Sequence, residues 1–236
     1  MIIDFHTHIL PGIDDGCTDE KMSKEVLLKE IAQNVDCIVA TPHYYCHEQS
    51  ISSFIANRDN AYQKLMNSIK DIPDTPKIYL GAEVYYNNML NHVDNLHDLC
   101  IQGTNYMLLE LPYQKITKDI VDGVISLYEN NCINIVLAHI ERFLKFTSFK
   151  SLIPLLESDV ICQINCGSLV NPVTRRNVYK MIKNSFIGAI GTDVHNTTTR
   201  AVCMEEGLNI LKKKYSQEFI DEIMSTSCKI LKNEDI

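Results

Sequence analysis

His6 and His8 lie two residues apart at the end of a short apolar run, 2–6. Side chains alternate across a β-strand, so positions i and i+2 point the same way and both imidazoles face one side. That spacing is what a metal ion requires of a strand, although two solvated histidines have the same pattern. The chain holds eight His, and further metal-competent groups recur in the same setting. Thr41-Pro42-His43 ends a second apolar run, Gly81-Ala82-Glu83 a third and Leu109-Glu110-Leu111 a fourth. Ala138-His139 ends a fifth, and Gly191-Thr192-Asp193-Val194-His195 ends the last. Taken singly, each has a plainer reading: a strand-end Glu as a cap or ion-pair partner, a strand-end His as a loop hydrogen-bonder. Six strand ends that all supply imidazoles or carboxylates point to a metal site.

The ligand types narrow the metal. Imidazoles and carboxylates without thiolates suit borderline to hard divalent ions such as Mn²⁺, Fe²⁺ or Zn²⁺. So many groups exceed the roughly 4–6 ligands of one ion. A cluster of two or three carboxylate-bridged ions is the economical inference. Ions spaced about 3.5–4 Å apart serve phosphoryl chemistry, because they hold the attacking and leaving oxygens together.

The elements that must position these groups follow from periodicity. Strands are expected at 2–6, 37–41, 77–81, 106–111, 133–138, 160–165 and 187–191. Met22, Val26, Leu27 and Ile31 form one helical face behind Asp19 and Glu20, acidic residues that suit a helix N-terminus. Ile120, Val121, Val124, Ile125 and Tyr128 form another, with Thr117 as N-cap. Asn171-Pro172 reads as an N-cap followed by Pro at the first helical position. Helices at 205–213 and 217–224 close the chain. Strands alternating with helices imply a parallel sheet, and seven repeats in 236 residues imply an α/β barrel in one domain, 1–236. The C-terminal ends of such strands converge on one mouth, where active sites are built.

Composition excludes other classes. Lys+Arg 22 against Asp+Glu 30 gives a net charge of −8, which argues against nucleic acid and acidic membranes as partners. No stretch approaches the ~18 apolar residues of a membrane span, and the first strand leaves no room for a secretory signal. Nine Cys are scattered, odd in number and never spaced C-x-x-C. They read as reduced, mostly packed thiols of a cytoplasmic protein. No Cys is followed by Arg six positions on, so the anion-binding loop of cysteine-based phosphatases has no match. Cys166, before Gly167-Ser168, is read as a packed thiol.

The ordered motifs His6-Thr7-His8, Gly12-Ile13-Asp14-Asp15-Gly16, Thr41-Pro42-His43, Gly81-Ala82-Glu83, His139-Ile140-Glu141-Arg142 and Asp193-Val194-His195 resemble the PHP (polymerase and histidinol phosphatase) superfamily. Within it the chain is most similar to the bacterial protein-tyrosine phosphatases of the CpsB type, from capsule and exopolysaccharide clusters. The likeness runs from Met1 into the closing helices. It implies a distorted (β/α)7 barrel of the PHP type, active at the C-terminal strand ends, with three divalent ions, preferentially Mn²⁺. By motif, His6, His8, Glu83 and Asp193 hold the first ion. Glu83 bridges to a second, completed by Glu110 and His139. Asp15, His43 and His195 hold the third. Asp14 is left as a turn or supporting residue. Arg142 and Arg200 match the family's phosphate-binding arginines.

The residues agree with that implication. Only five Arg occur, and two follow ligand motifs, where a guanidinium grips phosphate through paired donors. The expected reaction is direct hydrolysis of phosphotyrosine by a metal-bridged hydroxide, with His43 or a metal-bound water assisting the leaving tyrosinate. The resemblance implies, as substrate, the tail of a tyrosine autokinase that controls polysaccharide export. Tyr44, Tyr45, Tyr113 and Phe143 lie beside the ligand motifs, as ring-stacking groups or as packing. The alternatives are a small-molecule phosphomonoesterase of the histidinol phosphatase kind and a non-catalytic metal-bound domain that holds a kinase tail.

Overall fold

A computed structural model describes residues 1–236. Nine strands form in chain order: β1 (Ile3–Thr7), β2 (Cys37–Ala40), β3 (His43–Tyr44), β4 (Lys77–Leu80), β5 (Glu83–Tyr85), β6 (Tyr106–Glu110), β7 (Asn134–Leu137), β8 (Val160–Asn165) and β9 (Ile187–Gly191). They make two sheets, ordered β1-β2-β4 and β3-β5-β6-β7-β8-β9, and every pairing is parallel. Parallel neighbours need crossovers. Here these are mostly helical: α1 (Glu20–Ala32), α2 (Ile51–Ile69), α3 (Lys118–Asn131), α4 (Phe149–Leu156), α5 (Cys166–Val170), α6 (Pro172–Asn184), α7 (Met204–Lys212) and α8 (Gln217–Leu231). The fold is mixed α/β with parallel sheets.

All seven expected strands are present. Two short ones, β3 and β5, are additional, and each continues an expected strand past a break. Pro42 has no N–H to donate and interrupts the ladder. Across the interruption Gly81 N donates to Ala40 O at 2.8 Å and Glu83 N to Pro42 O at 3.0 Å. The two sheets therefore meet through β2/β3 and β4/β5. Their other ends also meet: Asp193 N donates to His6 O at 2.8 Å and His8 N to Val194 O at 3.0 Å, with Thr7 and Val194 bridged in parallel. Asp4, buried in β1, reinforces this seam by accepting from Thr192 N at 2.9 Å and from its hydroxyl.

Local signals explain the helix starts. Asp19 accepts from Met22 N at 2.9 Å, Thr117 from Ile120 N at 3.4 Å and Asn171 from Val173 N at 2.9 Å, each satisfying an otherwise orphaned helix donor. The longest helix, α2, was not among the expected elements. Its buried stripe of Ile51, Phe54, Arg58, Ala61, Leu65 and Ile69 keeps helical spacing, but polar Ser, Asn and Asp between these residues mask it. The core is one cluster of 67 buried apolar residues, from Ile3 to Leu231.

Close packing at the β1–β9 seam makes a testable demand on Gly191. A Cβ there meets His6 Cβ at 2.5 Å and His6 N at 3.0 Å. Gly191→Ala should therefore lower stability by about 1–3 kcal/mol, as overpacking does. Gly167, where a Cβ meets nothing within 4 Å, is the control, and Gly167→Ala should stay within about 0.5 kcal/mol of the parent. Denaturant unfolding of both variants checks this.

Candidate metal centre

β1 ends in His6-Thr7-His8, and its pleat sends His6 and His8 to one side. Their Nε2 atoms lie 3.1 Å apart, and each lies 3.1 Å from Glu83 Oε2. The break before β5 delivers Glu83, and the end of β6 delivers Glu110. His139 follows β7 with a left-handed backbone, φ 31°, and its Nε2 lies 2.8 Å from Glu83 Oε1 and 3.5 Å from Glu110 Oε1. Asp193 and His195 follow β9. Asp193 Oδ1 lies 3.4 Å from His8 Nε2 and 3.6 Å from His6 Nε2.

A second focus forms toward the surface. His43 Nδ1 is 3.1 Å from Glu83 Oε2, while His43 Nε2 and His195 Nε2 lie 3.4 Å and 3.3 Å from Asp15 Oδ1. The structure thus brings all nine residues expected as ligands into one constellation. Three sets have ligand atoms mutually within 4.8 Å: His6, His8, Glu83 and Asp193; His8, Asp15, His43 and His195; and His43, Glu83 and Glu110. The first coincides with the set implied by resemblance. The second adds His8 to the implied triad. The third has His43 where the motif carry-over placed His139, although His139 touches both carboxylates.

The two aspartates of the turn differ in setting. Asp14 accepts from Gly16 N and His43 N and lies 2.7 Å from His8 Nδ1. Asp15 is 67% exposed and faces His43 and His195. Burial opposes ionisation of Asp14, but His8 outweighs it and holds the carboxyl at about 2. Likewise burial works against the Glu83 and Asp193 carboxylates, and the surrounding imidazoles still hold both well below the usual range. Burial and the Glu83 charge push Glu110 up to about 8. Burial depresses His139 and His195 to about 4, leaving neutral imidazoles fit to donate lone pairs.

Divalent ions fit these residues. Among the atoms facing the cluster, Asp193 Oδ1, His43 Nδ1 and His195 Nε2 are buried without a hydrogen-bond partner, a costly state for polar atoms. The donor set is nitrogen and oxygen throughout, with no thiolate.

The arginines occupy the edge of the cluster. Arg142 Nη2 donates to Asp193 Oδ2 at 2.5 Å, and Arg200 Nη2 to the same oxygen at 2.7 Å. A cleft of about 540 Å³ opens there, lined by both arginines with Asn165, Ser168, Asp193 and Thr199. A larger hollow of about 620 Å³ beside residues 46–52 contains none of the nine candidate ligands. Of the four aromatic residues singled out in the sequence, Tyr44 and Phe143 are core packing, since both are buried. Tyr113 is 43% exposed, and Arg142 Nη1 reaches its hydroxyl at 3.5 Å. Tyr45 lies over His43, ring centroids 5.5 Å apart.

The sequence reading missed Gln163 and Asn165, buried at the end of β8 against His6 and Asp193. Their only signal is polarity in an otherwise apolar strand, Val-Ile-Cys-Gln-Ile-Asn. Cys166 is buried, and burial raises its thiol well above the ordinary value, so it is no thiolate nucleophile.

Fold and site together define a parallel α/β protein whose strand ends present a candidate polynuclear metal centre with arginines at its edge. The chain belongs to the capsular polysaccharide synthesis CpsB/CapC family, whose model matches residues 2–232. It is 28% identical over 245 residues to the tyrosine-protein phosphatase YwqE of Bacillus subtilis, covering 100% of this chain and 93% of the relative. It is 26% identical over 238 residues to the tyrosine-protein phosphatase CpsB of Streptococcus pneumoniae, covering 94% of each. A solved structure from work on those two proteins, described as unique metal-dependent tyrosine phosphatases, superposes with TM-score 0.85 at 25% identity. It covers 100% of this chain and 96% of the other. A Listeria monocytogenes structure shares the fold alone, at TM-score 0.50 and 14% identity over 82% of this chain and 95% of its own.

Four imidazoles meet the Glu83 carboxylate, so Glu83→Ala should remove the common partner of at least two ion positions. Divalent metal per chain, measured by elemental analysis after dialysis, should fall by at least one ion. An unchanged metal content would remove Glu83 from the centre.

Proposed function

We propose that this chain is a metal-dependent protein-tyrosine phosphatase, with a tyrosine autokinase regulating capsular or exopolysaccharide synthesis as its substrate. The observation that carries this reading is two guanidinium groups converging on the edge of a nine-residue imidazole and carboxylate cluster. The names of the relatives and the capsular role of the family support it.

His6, His8, Glu83 and Asp193 would hold one divalent ion, Glu83, Glu110 and His139 a second, and Asp15, His43 and His195 a third, with Mn²⁺ the preferred occupant. Bound ions of this kind supply hydroxide near neutral pH and neutralise phosphate oxygens. The protein's own contribution is positioning and charge. Each guanidinium has five N–H donors and gives Asp193 one hydrogen bond, so donors remain for the phosphate oxygens. Tyr113, exposed beside Arg142, offers its face to the substrate's phenol ring. His43 is the most open imidazole of the cluster, its side chain 15% exposed. With His43 holding an ion, a metal-bound water at this mouth would assist the leaving tyrosinate, and His43 itself would do so only when free of metal.

The fold supports a further reading: the nine strands form the staves of one distorted (β/α)7 barrel spanning residues 1–236 as a single domain. Hydrogen bonds at both sheet junctions, β2/β3 with β4/β5 and β1 with β9, favour it. No helix is long and apolar enough to cross a membrane, and all nine cysteines are free, which fits a cytoplasmic setting.

Turnover of a phosphotyrosyl peptide against histidinol phosphate tests the function. The peptide should be strongly preferred, chelation should abolish its hydrolysis and Mn²⁺ should restore it. Preference for histidinol phosphate would replace the protein-phosphatase reading with the small-molecule one. Undiminished activity in metal-free protein would overturn the metal dependence.

The arginines should separate from the ligands. Removing one charged contact from a transition state costs about 2–4 kcal/mol, or roughly 10²–10³ in rate. Arg142→Ala and Arg200→Ala should each show that loss while keeping bound metal, because Asp193 Oδ2 retains its other donors. Normal turnover in both variants would refute the phosphate-clamp role.

A further inference from the structure

β8 supplies neither imidazole nor carboxylate to the cluster, yet two of its side chains touch groups from three other strand ends. Gln163 and Asn165 are fully buried, and their hydrogen-bond directions follow from partners that have no choice. The His139 backbone N–H can only donate, and it meets Gln163 Oε1 at 2.7 Å. The Ile164 carbonyl can only accept, and it meets Gln163 Nε2 at 2.7 Å. The orientation of the Gln163 amide is therefore fixed.

Two consequences follow from that orientation. His6 Nδ1 lies 3.2 Å from Gln163 Oε1, so it must carry the proton, and in the neutral ring the lone pair sits on Nε2. That is the nitrogen 3.1 Å from Glu83 Oε2. Gln163 Nε2 also donates to Asn165 Oδ1 at 2.7 Å, which orients the second amide and makes Asn165 Nδ2 the donor to Asp193 Oδ2 at 2.9 Å. With Arg142 and Arg200, Asp193 Oδ2 then receives three hydrogen bonds. Oδ1, which has none, is left facing His6 and His8.

We propose that Gln163 and Asn165 are the positioning residues of the metal centre: the first sets the His6 tautomer and the His139 backbone, the second turns Asp193 Oδ1 inward. The inference rests on reading the cluster as a metal centre. Outer hydrogen bonds of this kind change metal affinity by about 10–100-fold when removed.

The two residues act on different ligands, so their variants should differ. The full-length chain loaded with Zn²⁺, which is diamagnetic, gives the readout through ¹H–¹⁵N spectra of its histidine rings. Competition with a chelator gives affinity. Gln163→Leu should shift the His6 Nδ1–H resonance and speed its exchange, with affinity about 10–100-fold weaker. Asn165→Leu should weaken affinity with the His6 resonance in place. Gln163→Glu keeps the acceptor for His6 but turns an oxygen on the Asn165 carbonyl, so it should retain the His6 resonance and lose affinity. That variant carries the test if Gln163→Leu does not fold, and parental affinity in Gln163→Glu would then overturn the proposal. A Gln163→Leu protein with parental affinity and an unmoved His6 resonance overturns it directly. A parent chain that binds no divalent ion overturns the metal-centre reading and this inference together.

Discussion

One buried carboxylate governs the arrangement of this protein. Glu83 lies within 3.1 Å of nitrogens from His6, His8, His43 and His139, which arrive from two separate strand ends and a strand break. A lone carboxylate that deep would be driven to its neutral form by desolvation. Here the surrounding imidazoles reverse that tendency, and Glu83 is held ionised. Two of these partners are in turn pinned from outside the cluster: His6 by Gln163 and His8 by Asp14. The centre is thus a charge-compensated set whose members depend on one another, and moving any strand end disturbs several contacts at once.

The sheets are shaped to make that set possible. Pro42 and the Gly81-Ala82 step interrupt two strands and re-aim them, so that His43 and Glu83 enter as paired residues of β3 and β5. The β1–β9 seam brings Asp193 and His195 to the side of His6 and His8. Gly191, which has no room for a Cβ against His6, lets β9 approach closely enough for Asp193 N to bond His6 O. The irregularities of the sheet fall where the chemistry-bearing residues are delivered, a common place for strand distortion in binding sites.

The placement of the arginines grows from the same geometry. Arg142 and Arg200 come from different segments, yet both settle on Asp193 Oδ2 and hold their charge at the edge of the cluster rather than in solution. Under the proposed clamp, a substrate phosphate entering there would meet guanidinium donors that are already oriented, so little ordering cost would remain at the moment of binding. The same carboxylate orders the arginines on one oxygen and faces the imidazoles with the other. The metal-competent cluster and the arginine edge therefore share one residue.

Much of this was legible in the chain because it depends on local regularities. The two-residue period of His6-Thr7-His8, apolar runs ending in His, Glu or Asp, and caps at Asp19, Thr117 and Asn171 are properties of short segments, and each formed as expected. The motif also singled out Asp15, the aspartate that faces His43 and His195. Short segments did not reveal β3 and β5, which are too brief to show a period and exist because neighbouring strands pair with them. Nor did they reveal that Tyr44 and Phe143 lie in the core while Tyr113 stands open, since a residue's side of the fold depends on what packs against it. The roles of Gln163 and Asn165 were hidden for a related reason. An amide has no preference for a function until the donors and acceptors around it, some of them over 20 residues away, fix which way it points. The sequence determined which groups were present and at which strand ends. Only tertiary packing decided which of these groups meet, because the contacts that tie β8 to His6, His139 and Asp193 join residues distant along the chain.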